Sequence, residues 1–197
     1  IAGQINFVFL VLMNTICASG GIFMSQFKGA KDKEGMEQTF KFKLIVCGLI
    51  GISYTILSFI APRPLFNLMV TTNNDANIIL DYSVIYSKSV ALSWLFMVFS
   101  QAIASSLREI EIVKPPLVIS IIATLINTFF NWVFIYGNLG APRFEVAGAG
   151  YATVIARFAE LAMFIVYAAI KKPEFLFKIK TFLQVKFRLF ISIFKKS

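Results

Sequence analysis

Five long apolar blocks constrain this chain more than any other feature. A helix needs about 20 apolar residues to cross a hydrocarbon core of about 30 Å. Ile1–Phe27 meets that length with no charge at all, and Leu44–Ala61 nearly does, closed by Pro62 and Pro64, which cannot continue a helix. Ser83–Leu107 follows with Lys88 near its start, then Pro115–Tyr136, then Val146–Ile170 carrying Arg157 and Glu160. Of the 197 residues 58 % are hydrophobic and only 15 % charged, against about 25 % charged in soluble domains. In lipid every backbone polar group must be satisfied internally, which apolar blocks of this length achieve as helices. The predicted fold is therefore all-α, a polytopic transmembrane helical bundle with spans at 1–27, 44–61, 83–107, 115–136 and 146–170.

The charges between the blocks alternate. Lys28–Lys43 holds five lysines, Arg108–Lys114 two basic residues, and the stretch from Lys171 onward eight. The intervening loops, Pro62–Tyr82 and Gly137–Glu145, hold only Arg63 and Arg143. Excess Lys and Arg mark the cytoplasmic side of short loops. The lysine-rich loops and the C-terminal tail are thus expected in the cytoplasm, and the protein in the cell membrane. The tail, residues 171–197, interleaves Phe, Leu and Ile with Lys and Arg too closely to span. It reads as a cytoplasmic amphipathic linker lying on the membrane surface.

Several function classes drop out. The net charge of +9 would suggest nucleic acid in a soluble protein, but here the basic residues bracket apolar blocks, so no nucleic-acid partner is expected. There is no His, which removes imidazole catalysis and His-ligated metals. Cys17 and Cys47 fall in separate apolar blocks and read as small core hydrophobes rather than a disulfide. No Gly-rich phosphate loop, metal-ligand spacing or nucleophile–base pair appears, so neither an enzyme, a metal site nor an organic cofactor is expected. The chain opens inside an apolar run at Ile1, with no signal-peptide pattern, and reads as a fragment.

Polar groups are costly in hydrocarbon, so their placement carries the functional information. In the fourth block Ser120, Thr124, Asn127 and Asn131 are spaced 4, 3 and 4, one stripe on a helix. Such a stripe serves either as hydrogen-bonding glue between helices or as the wall of a wet cavity. The third block repeats the theme with Ser93, Ser100, Gln101 and Ser105. In the fifth, Thr153, Arg157 and Glu160 are spaced 4 and 3, and the last two are placed to form a structural ion pair.

Several segments resemble the multidrug and toxic compound extrusion (MATE) family. Ser25-Gln26-Phe27-Lys28-Gly29-Ala30-Lys31-Asp32 is similar to the end of that family's second helix and the loop after it. Ser106-Leu107-Arg108 with Lys114-Pro115 resembles the loop joining the fourth and fifth helices. Asn127 and Asn131, with Tyr136-Gly137 and Gly140-Ala141-Pro142, resemble the fifth helix and its outer turn. Gly148-Ala149-Gly150-Tyr151-Ala152-Thr153, Ala156-Arg157 and Glu160 resemble the start of the sixth. The family's loop usually has Gly after the Arg, where this chain has Glu109.

The resemblance implies a transporter of two six-helix lobes, with this chain supplying helices two to six of the first. It implies export of small, often cationic organic compounds by antiport against Na⁺ or H⁺, with the lipid bilayer and the missing second lobe of the same protein as partners. By that likeness Asn127, Asn131 and Thr153 line the first-lobe cavity, joined by Gln101, Ser105 and Tyr86. Asn131 stands where some members have Asp. Two alternatives stay open: a lipid-linked oligosaccharide flippase of related fold, which should need several basic residues in its cavity, and a non-transporting truncated membrane protein.

Overall fold

The computed structural model describes residues 2–60 and 76–176, with residues 2–5 and 76–81 described by backbone alone. The loop carrying Arg63 and the tail beyond residue 176 lie outside the described residues, so the predicted amphipathic linker is described only through Leu176. The described chain is helical: α1 (Ala2–Gly29), α2 (Lys33–Ile60), α3 (Ala76–Glu109), α4 (Lys114–Tyr136), a short 3₁₀ turn (Asn138–Gly140) and α5 (Glu145–Lys171). All five α-helices are long and apolar enough to cross a membrane. At 1.5 Å per residue the shortest, α4, extends about 35 Å.

The blocks rich in prolines or flanked by turn residues fall where the sequence predicts. α4 takes its prolines in the first turn, where a missing N–H is harmless. It ends at Gly137, whose N–H reaches the Val133 carbonyl at 3.0 Å. α3 starts earlier than predicted, at Ala76 rather than Ser83, and the largest departure is α2, which begins at Lys33 and not Leu44. Asp32 starts it, its carboxylate accepting from the Gly35 N–H at 3.0 Å, a side-chain cap for an orphan backbone donor. The extra turns carry lysines but also Met36 and Phe40, which pack with Met24, Leu107 and Phe164. Lys41 and Lys43 are buried there too, so the positive charge that reads as a loop lies on a packed helix.

Helix α3 is the central element. It packs along α1 and α2 on one side and α5 on the other, while α4 rests on the far side of α5 and barely reaches α3. One core cluster sits where α1 ends, α2 begins and α3 ends; it holds Met24, Met36, Phe40, Ile103, Leu107 and Phe164. A second joins the first three helices through Met13, Cys17, Cys47, Tyr54, Trp94 and Val98. There Tyr54 stacks on Trp94 at 4.3 Å between centroids, and Phe9 sets its edge against both. Outward-facing Phe7, Leu49, Leu117, Leu125 and Ile165 stay exposed, as lipid tails would require.

Two glycines place α5 between its neighbours. A Cβ on Gly148 would stand 2.7 Å from the Phe134 carbonyl oxygen of α4, and one on Gly150 would overlap the Ser89 side chain of α3. Beyond α5 the chain folds back under the lysine-rich end. Phe175 is fully buried against Phe40, ring centroids 4.6 Å apart, and Glu174 meets Lys28 at 2.9 Å.

Candidate functional site

The polar stripe of α4 faces α5. Thr124 and Thr128 return their hydroxyl protons to the carbonyls of Ser120 and Thr124, at 2.8 and 3.0 Å, and so keep their hydrogen bonds within the helix. The carboxamides do not. Asn131 donates through Nδ2 to Asn127 Oδ1 at 3.0 Å, and Asn127 donates to the Thr153 hydroxyl oxygen of α5 at 3.4 Å. Thr153 donates in turn to the Ala149 carbonyl at 2.8 Å. At the head of this chain, the buried Asn131 Oδ1 accepts from no group among the described residues. One turn further along α5, Arg157 donates to Glu160 at 2.7 Å.

Asn127, Thr153, Arg157 and Glu160, with Ser120 and Thr124, wall a cavity of about 430 Å³, which Asn131 does not itself line. Ala123 and Ala156 complete the lining, and their short side chains keep it open. The volume is within the usual range for a small-molecule site. Its charges balance: one guanidinium, 39 % exposed, and one carboxylate, 8 % exposed.

The other sequence-predicted residues lie elsewhere. Gln101 and Ser105 line a second cavity of about 320 Å³ between α1 and α3, with Asn14, Cys17, Arg108 and Glu109. Gln101 donates to Asn14 at 3.1 Å and Ser105 to the Ala102 carbonyl at 3.2 Å. Tyr86 borders a third space near the opposite ends of the helices, with Tyr136, Arg143 and Glu145. Thus Asn127 and Thr153 share a cavity with the Arg157–Glu160 pair and Asn131 joins them by its hydrogen bond, whereas Gln101, Ser105 and Tyr86 belong to two other surfaces.

A buried ion pair stands beside the second cavity, and the sequence reading passed over it. The fully enclosed Lys43 donates to Glu109 and, at 3.3 Å, to the Ser105 hydroxyl, tying α2 to the end of α3. Gly20 and Gly21 of α1 leave space for it: a Cβ on Gly20 would be 2.7 Å from Lys43 Cε, and one on Gly21 would strike the Glu109 carboxylate. The signal was in the spacing. Met36, Phe40, Lys43, Cys47, Gly51 and Tyr54 follow one another by 4, 3, 4, 4 and 3, a single buried face. Cys17 and Cys47 meet next to the pair as free thiols, sulfurs 3.6 Å apart.

Five apolar helices with hydrogen-bonding cavities between them define a polytopic membrane protein. The family model for MatE matches residues 1–133, and the chain belongs to that family of multidrug transporters. It is 29 % identical over 166 residues to the probable multidrug resistance protein YoeA of Bacillus subtilis (strain 168), covering 83 % of this chain and 35 % of YoeA. Over 72 residues it is 36 % identical to the multidrug resistance protein NorM of Vibrio cholerae, 36 % of this chain and 16 % of NorM. A solved inward-facing structure of a multidrug resistance MATE family transporter superposes with a TM-score of 0.67 at 22 % identity, covering 94 % of this chain and 41 % of that one. A MATE crystal structure in a bent conformation gives 0.75 at 19 % identity, over 96 % and 43 %. The chain thus spans well under half the length of these relatives.

Proposed function

We propose that this chain forms part of the solute pathway of a multidrug exporter that works by antiport against Na⁺ or H⁺. Its cavity between α4 and α5 would receive small, often cationic organic compounds. A second lobe would rock against this one to alternate access. In this reading the lysine-rich loops and the C-terminal tail face the cytoplasm of a cell membrane, following the Lys/Arg asymmetry. The observation that carries the proposal is the Asn131–Asn127–Thr153 chain bordering a cavity of about 430 Å³. Glue between helices would close over its polar groups, whereas Asn127 and Thr153 stand half-buried on the wall of that cavity, within reach of a water or a solute.

The flippase alternative is less well supported. A diphosphate site should carry several basic residues, whereas Arg157 is the one basic residue lining this cavity and it shares the space with the Glu160 carboxylate. The test is efflux of ethidium from cells producing the full-length protein. With both Asn127→Ala and Asn131→Ala, efflux should fall at least severalfold while the amount in the membrane stays unchanged. Wild-type efflux from the double variant would reject the lining role.

A further inference from the structure

Two ion pairs among the described residues, Lys43–Glu109 and Arg157–Glu160, differ in what they join. Lys43–Glu109 ties α2 to α3. Arg157–Glu160 lies within α5, three residues apart, and holds no two helices together. A pair of that spacing on a helix surface contributes little, and a charge withdrawn from water is costly. Helix packing therefore gives no reason to bury Glu160. Its position in the cavity does: Glu160 is the one carboxylate among the residues lining that space, and among the described residues its polar partner is Arg157.

The exposures are unequal in a telling way. Glu160 is held at 8 % exposure, whereas the Arg157 side chain, at 39 %, stands open to the cavity. Its long stem can carry the guanidinium aside while the carboxylate stays in place. Once the guanidinium leaves, a carboxylate this enclosed needs another positive charge. Asn127 and Thr153, also lining the cavity, offer hydrogen bonds to the polar parts of whatever brings that charge.

Resting on the cavity reading above, we propose that Glu160 is the anionic anchor that selects organic cations in the α4/α5 cavity, and that Arg157 is its built-in competitor. With the cavity empty, the guanidinium neutralises Glu160. An entering cation takes its place, so the affinity measured for a cation is what remains after Arg157 has been displaced.

The two residues then have opposite effects, which an ion pair of purely structural role would not produce. The test is fluorescence titration of the purified full-length protein in lipid nanodiscs with ethidium as the cation and N-phenyl-1-naphthylamine as an uncharged probe. E160Q should weaken ethidium about tenfold and R157Q should tighten it about tenfold, the scale of one charge-assisted hydrogen bond. The uncharged probe should change less than about twofold in either, since it makes no such bond. The R157Q/E160Q double variant, free of any buried unpaired charge, guards against misfolding of R157Q; it should bind ethidium more weakly than wild type, and no more weakly than E160Q, where the Arg157 cation is left unmatched. Ethidium weakened equally by R157Q and E160Q, or unaffected by E160Q and the double variant, would overturn the anchor. If N127A/N131A loses both probes while E160Q changes neither, the cavity reading stands and the anchor alone falls. A wild-type protein that binds neither probe would overturn both.

Discussion

Removing either partner of the Lys43–Glu109 pair should unsettle the protein more than any other single change of charge, and by unequal amounts. The Lys43 side chain is fully enclosed, and Glu109 is 16 % exposed beside a cavity. Breaking a buried pair costs about 3–5 kcal/mol because the remaining charge has no counter-charge. In K43M the stranded carboxylate can still reach the cavity, so the loss should fall at the low end, about 3 kcal/mol. In E109Q the ammonium keeps only the Ser105 hydroxyl and the new amide, so the loss should approach about 5 kcal/mol. At about 2–4 °C per kcal/mol for a chain of this size, K43M should melt roughly 6–12 °C below wild type and E109Q lower still. The double variant K43M/E109Q strands no charge, and it should recover most of the loss, as buried pairs exchanged for neutral side chains generally do. Thermal unfolding in detergent, followed by tryptophan fluorescence from the buried Trp94, measures all four proteins. Single variants within about 1 °C of wild type, or a double variant as unstable as the two losses added, would refute this reasoning.

Two further substitutions probe the surroundings of that pair. G21A places a methyl group against the Glu109 carboxylate; it should cost about 1–3 kcal/mol by overpacking, read as a lower melting temperature. F175A empties a fully buried site beside Phe40; about 3–5 kcal/mol is expected, and the same melts check it, with wild-type stability showing that the segment after α5 does not seal the lysine-rich end.

Much of the fold is legible in residues alone, for reasons that can be named. The ends of α4 are written in Pro115, Pro116 and Gly137, and those of α5 in the turn before it and the lysines after it. The start of α2 is not, because a window average sees Lys33, Lys41 and Lys43 as a loop. Only the 4-and-3 spacing of Met36, Phe40, Lys43 and Cys47 reveals that the lysines lie on a packed helix. The candidate site was legible in part. Spacing places Asn127 and Asn131 on one face of α4 and Thr153, Arg157 and Glu160 on one face of α5, and the structure turns these faces toward each other. Spacing cannot say which neighbour a central helix faces. α3 packs against helices on both sides, so Gln101 and Ser105 look toward α1 while Asn127 and Thr153 meet between α4 and α5. Glu109 was visible only as a departure from the family's loop, and its partner is 66 residues away in sequence.

The most direct test of the central claim, that the α4/α5 cavity takes the transported solute, is chemical labelling at Thr153. A full-length T153C protein, with Cys17 and Cys47 replaced by Ala, would be treated in membranes with a small cationic methanethiosulfonate reagent, with and without ethidium. The cavity account predicts that Cys at this position is labelled and that ethidium slows the labelling severalfold. Labelling that proceeds at the same rate with saturating ethidium, or no labelling in a folded protein, would contradict it.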